Sequence, residues 1–482
     1  MHHRSQLITI GSISIIAIAI AARSAGAASI GDVFVIDMEN HNLVQPNPTS
    51  SPNQLQGNLA APFLNSLMTP GNANAVESSW ASAYHSVGSS VHPSEPNYIW
   101  QEGGSNYGVI SDTDPYGASN VFASQNLSGL LQSAGISWKS YQEDIDLSPN
   151  SGSVNNPGSG SLTSTVAPQS QWTVPLKSFS GTSSSYTNPY NGSHQYYFAA
   201  KHDGQLFYTA TNGGTTTTGN YGTSNSERLH YQPLQQLSTD LSSSNVARYN
   251  FITPDLYNDM HTALTGGFTY HGTHYTGDQA AVAQGDNFLS QIVPMIESSA
   301  AYQDNGMIII WFDETENGDT SSYTLPEIII SPLAKGNAYQ STASYTHSSD
   351  LLTMQEIFQV QASTASGGLG GAGNAGIHDL SNMFQSGTIP VSLSLPLGDA
   401  TGDGKVNADD LAILDANMGK SVTGRYAAGD FNNDGVVNAD DYALFAFGLA
   451  QYNQNQGSQV PEPASLALMS LAMLGLRRGS RQ

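Results

Sequence analysis

The apolar positions of this chain gather into short unbroken runs, and each run stops at polar or acidic residues. Val33-Phe34-Val35-Ile36 leads into Asp37-Met38-Glu39-Asn40-His41. Arg248–Thr253 passes through Phe251-Ile252 to Pro254-Asp255, and Met307–Phe312 ends at Asp313-Glu314. Runs without alternation predict strands buried on both faces, as in a parallel sheet, and such sheets bind ligands beyond the carboxyl ends of their strands. Leu325–Ser331 predicts a further strand. Helical spacing appears at Pro62–Leu67, at Asn126–Gly135 and at Asp278–Ser298 (Ala281, Phe288, Ile292, Ile296). Another helix opens in Tyr345-Thr346-His347-Ser348-Ser349 and runs to Phe358, with Ser348 or Ser349 as its N-cap. Strands alternating with helices predict an α/β fold with a mainly parallel central sheet and helices on both faces. Val76–His92 has no clear period, and Ser148–Thr187, rich in Ser, Gly, Asn and Pro, reads as a long loop within the sheet domain.

Both ends of the chain depart from this pattern. Residues 1–28 join a basic start to an apolar run (Leu7 to Ala22) and the small residues Ser24–Ala28, the build of a secretory signal peptide. From Pro396 a small unit carries two loops in register, Asp399–Asp410 and Asp430–Asp441. Each has oxygen side chains at positions 1, 3, 5, 9 and 12 and glycine at 6, the spacing that wraps a calcium ion, and each precedes an apolar helix. The candidate ligands are Asp399, Thr401, Asp403, Lys405 and Asp410, then Asp430, Asn432, Asp434, Val436 and Asp441, position 7 contributing its main-chain carbonyl. The chain finishes on Val460-Pro461-Glu462-Pro463, a short apolar stretch (Ala464 to Leu476) and Arg477-Arg478. The expected organisation is a signal peptide over 1–28, a catalytic domain over 29–395, a calcium module over 396–450, and a linker with a sorting signal over 451–482.

Composition narrows the function. Lys+Arg number 14 against 38 Asp+Glu, a formal net charge of −24 over 482 residues. So acidic a chain argues against nucleic acid as a partner and in favour of cations. Cysteine is absent, which excludes thiol catalysis, thiolate metal sites and disulfides.

The candidate chemistry centres on Val91-His92-Pro93-Ser94-Glu95-Pro96-Asn97-Tyr98. Prolines on either side stiffen the backbone around Ser94, which suits a nucleophile aimed before substrate arrives. Elsewhere, separated segments place metal-seeking groups at strand ends or helix starts: Glu39 and Asn40, Asp255 with Asp259 and His261, Asp313 and Glu314, and His347. With Ser94 they make a candidate divalent-metal site without cysteine, in which the metal activates the serine for attack on phosphorus. His92, His85, Lys139, Tyr141 and His202 are further candidates for binding phosphate or protonating the leaving group. Singly, each of these residues has an ordinary structural role open to it.

The segments Val33–His41, His92–Tyr98, Lys201-His202, Phe251–His261, Ile308–Glu314 and Tyr345–Phe358 resemble, in order, the phosphoesterase family of acid phosphatases and phospholipases C. That family lies within the alkaline phosphatase-like superfamily, so the resemblance implies its sandwich fold around a mainly parallel sheet. It further implies Ser94 as nucleophile, Glu39 and Asn40 contacting metal and phosphate, and Asp313 as metal ligand with Glu314 beside it. Asp255, Asp259, His261 and His347 would correspond to a second metal site. The metal is left open among zinc, manganese, magnesium and calcium. With Asp410 and Asp441 at position 12, the calcium module is similar to an all-α type I dockerin, which implies a cohesin-like partner. The tail resembles the PEP-CTERM signal, implying an exosortase and export to the surface or medium of a Gram-negative-type bacterium. The expected function is a secreted, metal-dependent phosphomonoesterase of the acid phosphatase kind, acting on a phosphate ester through a phosphoserine. The alternatives are a phospholipase C-like phosphodiesterase and a catalytically silent surface protein that binds partners through its calcium module.

Overall fold

The computed structural model describes residues 29–455 apart from 46–53, 89–90, 116–119, 148–163, 215–221, 317–321, 364–367, 375, 391–396, 402–404, 423–427 and 432–434. The expected signal peptide, the expected sorting signal and the candidate calcium ligands Asp403, Asn432 and Asp434 lie outside the described residues. Twelve strands are present among the described residues: β1 (Val33–Met38), β2 (Ser78–Ala81), β3 (Trp138–Gln142), β4 (Phe179–Thr182), β5 (Gln195–Phe198), β6 (Tyr231–Pro233), β7 (Tyr249–Thr253), β8 (Phe268–Tyr270), β9 (Thr273–Tyr275), β10 (Met307–Phe312), β11 (Glu327–Ile330) and β12 (Tyr339–Ser341). Eight of them form one sheet in the order β12-β2-β11-β10-β1-β7-β3-β6, while β4-β5 and β8-β9 are separate two-stranded ribbons.

Five of the seven neighbouring pairs in the large sheet run parallel, so the mainly parallel α/β reading holds. The central strands β1, β7 and β10 carry the apolar runs of the sequence, unbroken in β10 but interrupted by Asp37 in β1 and Asn250 in β7, and every residue of each is buried. Three elements differ from expectation, the first being β4, which forms inside Ser148–Thr187, a stretch whose Ser- and Gly-rich composition reads as loop, by pairing with β5. The strand expected within Leu325–Ser331 forms as β11, but it runs antiparallel to both β10 and β2, a direction its apolar pattern does not encode. β2 arises in the stretch without clear period, because Ser78 and Ser79 are buried beside Trp80 and Ala81 and no apolar run marks it.

The described residues contain nine α-helices: α1 (Pro62–Leu67), α2 (Ser94–Gly103), α3 (Leu127–Ser133), α4 (Gln236–Ser242), α5 (Asp278–Glu297), α6 (Ala300–Gln303), α7 (His347–Phe358), α8 (Ala408–Asn417) and α9 (Ala439–Asn455). Ser94 does not sit in a free-standing turn but is the first residue of α2. Pro96 falls in the first helical turn, where its missing N–H costs no hydrogen bond. α2 stops at Gly104, whose left-handed backbone (φ 68°) lets its N–H donate to Trp100 O at 2.7 Å. The N-cap of α7 is Thr346, not Ser348 or Ser349; Ser349 supplies the other half of the capping box, its side chain bonding back to the cap. The small module packs α8 and α9 around Val406, Leu414, Phe431, Val437 and Phe445.

Candidate active site

The site is built from strand ends. β1 and β10 lie side by side with Met38 opposite Phe312, so Glu39-Asn40 and Asp313-Glu314 leave the sheet together. Asp313 N donates to Met38 O at 3.2 Å, and Asn40 N donates to Asp313 Oδ1 at 3.0 Å. Asn40 turns through a left-handed backbone, φ 51°, which asparagine tolerates better than most residues. Across β1, Glu39 N donates to Asp259 O at 2.8 Å and draws in the loop that follows β7.

α2 completes the group. Ser94 Oγ donates to Glu39 Oε2 at 2.9 Å, and Tyr98, four residues on and therefore on the same helical face, donates from its hydroxyl to Glu39 Oε1 at 2.7 Å. His202 stacks on Tyr98 with ring centroids 4.8 Å apart. Its Nε2 stands 3.2 Å from Glu39 Oε1 and its Nδ1 3.8 Å from Asp259 Oδ2. Glu39 is the hub, with Ser94 and Asp313 on one side and His202 and Asp259 on the other.

This crowding of carboxylates away from water sets their charge. Burial, reinforced by the Asp313 and Asp259 charges, pushes Glu39 well above the usual carboxylate range. Burial likewise raises Asp259 well and lifts Asp313 to about 7. Burial, and then the Lys201 and His261 charges, push His202 well down, which keeps its imidazole neutral. Burial lowers Lys201, but the Glu39 and Asp112 charges outweigh it and hold the ammonium above its ordinary value. Asp259 Oδ2, Asp313 Oδ2 and both ring nitrogens of His202 are buried without a hydrogen-bond partner. One ligand atom from each of Glu39, His202 and Asp259 lies within 4.8 Å of the other two. Unpartnered buried ligand atoms among closely spaced anions fit a divalent metal, and carboxylate with neutral imidazole is an established donor set for one.

The structure thus brings together Glu39, Asn40, Ser94, Asp313 and Asp259. His92, with its side chain 45% exposed, pairs through Nδ1 with Glu314 at the mouth of the group. His261 is exposed at the rim, its ring 6.2 Å from that of His202 and its Nδ1 on Thr262 Oγ1.

Two expected ligands go elsewhere. His347 does not face the carboxylates: its Nε2 bonds Asp313 O at 2.5 Å and its Nδ1 bonds Tyr84 Oη at 2.9 Å, so both nitrogens are occupied. Asp255 turns away toward Glu143 and Asp144, because the register of β3 against β7 brings those two acids to its strand end. Of the further candidates, Lys139 and Tyr141 both bind Asp240 and His85 Nδ1 bonds Tyr323 O. His202, read from sequence as a phosphate or proton-transfer group, stands instead among the buried metal-seeking atoms. Its signal is its place in the Lys201-His202 pair, which does not say which way the ring points.

Residues 74–361, more than half the chain, match the model of the phosphoesterase family. The chain belongs to that family. The matched span starts after β1, so Glu39 and Asn40 lie outside it. Residues 397–449 match the dockerin type I domain and residues 459–482 the PEP-CTERM protein-sorting motif. Among characterised proteins, this phosphoesterase is 23% identical over 302 residues to a phosphatidylinositol-3-phosphatase of Mycobacterium tuberculosis, covering 63% of this chain and 71% of that one. It is 24% identical over 226 residues to a probable acid phosphatase of Kluyveromyces lactis, covering 47% of this chain but only 39% of that protein. A Vibrio parahaemolyticus protein of the alkaline phosphatase superfamily is a looser structural neighbour, with a TM-score of 0.38, 11% identity, and coverage of 68% of this chain and 66% of that one. Family and relatives make this chain a hydrolase of phosphoric esters.

In the calcium module, Thr401 Oγ1 bonds both Asp399 and Asp410, and Gly435 N donates to Asp430 Oδ2. Asp441 takes the N–H groups of Phe431 and Asn438. Positions 1 and 12 of each loop are buried and joined through the loop, the arrangement expected of the calcium-binding domain type that this segment matches.

Proposed function

We propose that this phosphoesterase is a metal-dependent phosphomonoesterase that works through a phosphoserine on Ser94. The observation that carries the reading is the hydrogen bond from Ser94 Oγ to Glu39 Oε2 at 2.9 Å, made where Glu39, Asp313, Asp259 and His202 converge. The metal would be held by Glu39 with Asp313 and Asn40 on one side and His202 and Asp259 on the other. When bound, it supplies a lowered pKa at the serine hydroxyl and charge stabilisation at the phosphoryl oxygens. The protein's own residues do the rest. Glu39 and Tyr98 fix the approach of Ser94, and Lys201 places positive charge beside the anionic group. The Ser94 Oγ–P bond forms as the ester P–O bond breaks, the hydroxyl proton passing along its hydrogen bond to Glu39 Oε2; in the later hydrolysis water returns a proton to His92 and Glu39 returns its own to Ser94. The alcohol leaves with a proton from His92, which the Glu314 carboxylate orients, and water then splits the phosphoserine to free phosphate.

The test is hydrolysis of a chromogenic phosphate monoester and its bis-ester by the full chain, with and without chelator, beside Ser94→Ala. We expect the monoester to be the faster substrate, chelator to abolish turnover, and Ser94→Ala to lower kcat by about 10³-fold or more. A faster bis-ester would replace the monoesterase by the phospholipase C-like phosphodiesterase. Full activity in Ser94→Ala would move the nucleophile elsewhere.

Around this enzyme we place a signal peptide over 1–28, a catalytic domain over 29–395 and a calcium module over 396–450 that docks a cohesin-like partner. An exosortase would process the 451–482 tail during export to the cell surface.

A further inference from the structure

A second group of acids lies at the same edge of the sheet and is left unused by the site around Glu39. Gln142 of β3 stands opposite Thr253 of its parallel neighbour β7, so Glu143 and Asp144 leave the sheet beside Asp255. One ligand atom from each of these three lies within 4.8 Å of the other two, and all three residues are fully buried. The donors around them are neutral: Asn188 and Asn258 to Glu143 Oε1, both at 2.8 Å, Asp255 N to Glu143 Oε2 at 2.9 Å, and Tyr186 Oη to Asp144 Oδ1 at 2.6 Å. No described lysine, arginine or histidine forms an ion pair with any of the three. Neutral donors hold the carboxyl groups in place without supplying positive charge, so the group needs either protons or a cation, because each uncompensated buried ion costs several kcal/mol.

Two observations point to an occupant. Asp255 gives Oδ1 to Tyr257 N at 3.1 Å, but its Oδ2 is fully buried and accepts no hydrogen bond. Asp146, two residues beyond Asp144 and equally buried, has neither oxygen partnered. The donors are all oxygen, which selects a hard cation over zinc. A fully buried group also disfavours magnesium, which keeps several of its waters.

We propose that Glu143, Asp144 and Asp255 hold a calcium ion, distinct from the metal around Glu39 and from the two loops of the C-terminal module. The ion pins the ends of β3 and β7 together. It also fixes the turn in which Asp259 N donates to Asp255 O at 3.0 Å, and so sets where Asp259 stands. The inference does not depend on the chemistry assigned to Ser94.

Hydrogen–deuterium exchange on the unmodified full chain tests it, comparing chelator with calcium at ten times its apparent Kd. Peptides within residues 140–147 are expected to exchange about tenfold more slowly with calcium. Equal rates in this segment would overturn the site and leave a proton shared between Asp144 and Asp255 as what balances the group. Equilibrium dialysis supplies the second arm. Asp255→Asn and Asp144→Asn, the latter at a left-handed position (φ 69°) that asparagine accepts, should each bind one calcium fewer per chain. Glu39→Gln should keep that equivalent. An unchanged count in a folded Asp255→Asn protein would overturn the proposal, and if neither asparagine variant folds, the exchange experiment decides.

Discussion

At the scale of single residues the site is a set of hydrogen bonds converging on one carboxylate. Glu39 receives Ser94 on one oxygen and Tyr98 on the other, with His202 beside it. Tyr98 is fully buried between His202 and Trp311, so its hydroxyl orients Glu39 without reaching substrate. Tyr98→Phe keeps the stacking and removes only that bond. It should weaken metal binding and activity together, by about 10- to 100-fold, as loss of a bond to a metal ligand does. Metal titration followed by kinetics at saturating metal checks this, and an unchanged metal affinity would remove Tyr98 from the positioning of Glu39. Residue types and strand ends bring forward Glu39, Asn40, Asp259 and Asp313, and the flanking prolines bring forward Ser94. They do not suffice for His347, whose place at a helix start looks equally suited to a ligand. Only the packing of Tyr84 and the Asp313 carbonyl against its two nitrogens shows it to be a brace.

At the scale of elements, α2 is clamped to its neighbours by Glu102. Its Oε2 accepts from Asn126 Nδ2 at 2.7 Å and Ser128 N at 2.9 Å, at the start of α3, and its Oε1 accepts from Ser128 Oγ at 2.8 Å and Gln205 Nε2 at 2.9 Å. Glu102→Ala would strand four buried donors, and we expect a loss of about 3 kcal/mol or more in urea unfolding. In whatever remains folded, kcat should fall too, because α2 carries Ser94. A variant as stable as the parent would mean that water replaces the carboxylate. The sheet shows what a sequence pattern can and cannot carry. Apolar runs announce β1, β7 and β10, since a strand buried on both faces is mostly apolar, with buried Asp37 and Asn250 as the exceptions. β3, reading Trp-Lys-Ser-Tyr-Gln, is mixed, and its pairing with β7 is a long-range fact. The surroundings of Asp255 depend on that pairing, so its own segment points to the wrong partners.

At the scale of the whole molecule, a net charge of −24 is joined by several carboxyls that burial shifts toward the protonated form. Asp144 and Asp286 are lifted to about 6, Asp313 to about 7 and Glu143 to about 8, while in the unfolded chain such groups titrate near 4. Between about pH 4 and 8 the folded state therefore binds more protons than the unfolded state. Stability must then fall as pH rises, by about 1.4 kcal/mol per pH unit for each proton so retained. That sign is opposite to the common case of salt-bridged carboxylates, whose stability is lost in acid. A metal bound as proposed would reverse it locally, because a cation at Glu39, Asp313 and Asp259 would take the place of the protons and compete better as they leave. In chelator, the urea midpoint should drop steadily from pH 5 to pH 8. With divalent metal it should stay nearly level, so the gap between the two curves should widen with pH. A chelated protein that instead gained stability toward pH 8 would mean that the buried acids are ionised and compensated by some other cation. The metal would then have no protons to displace.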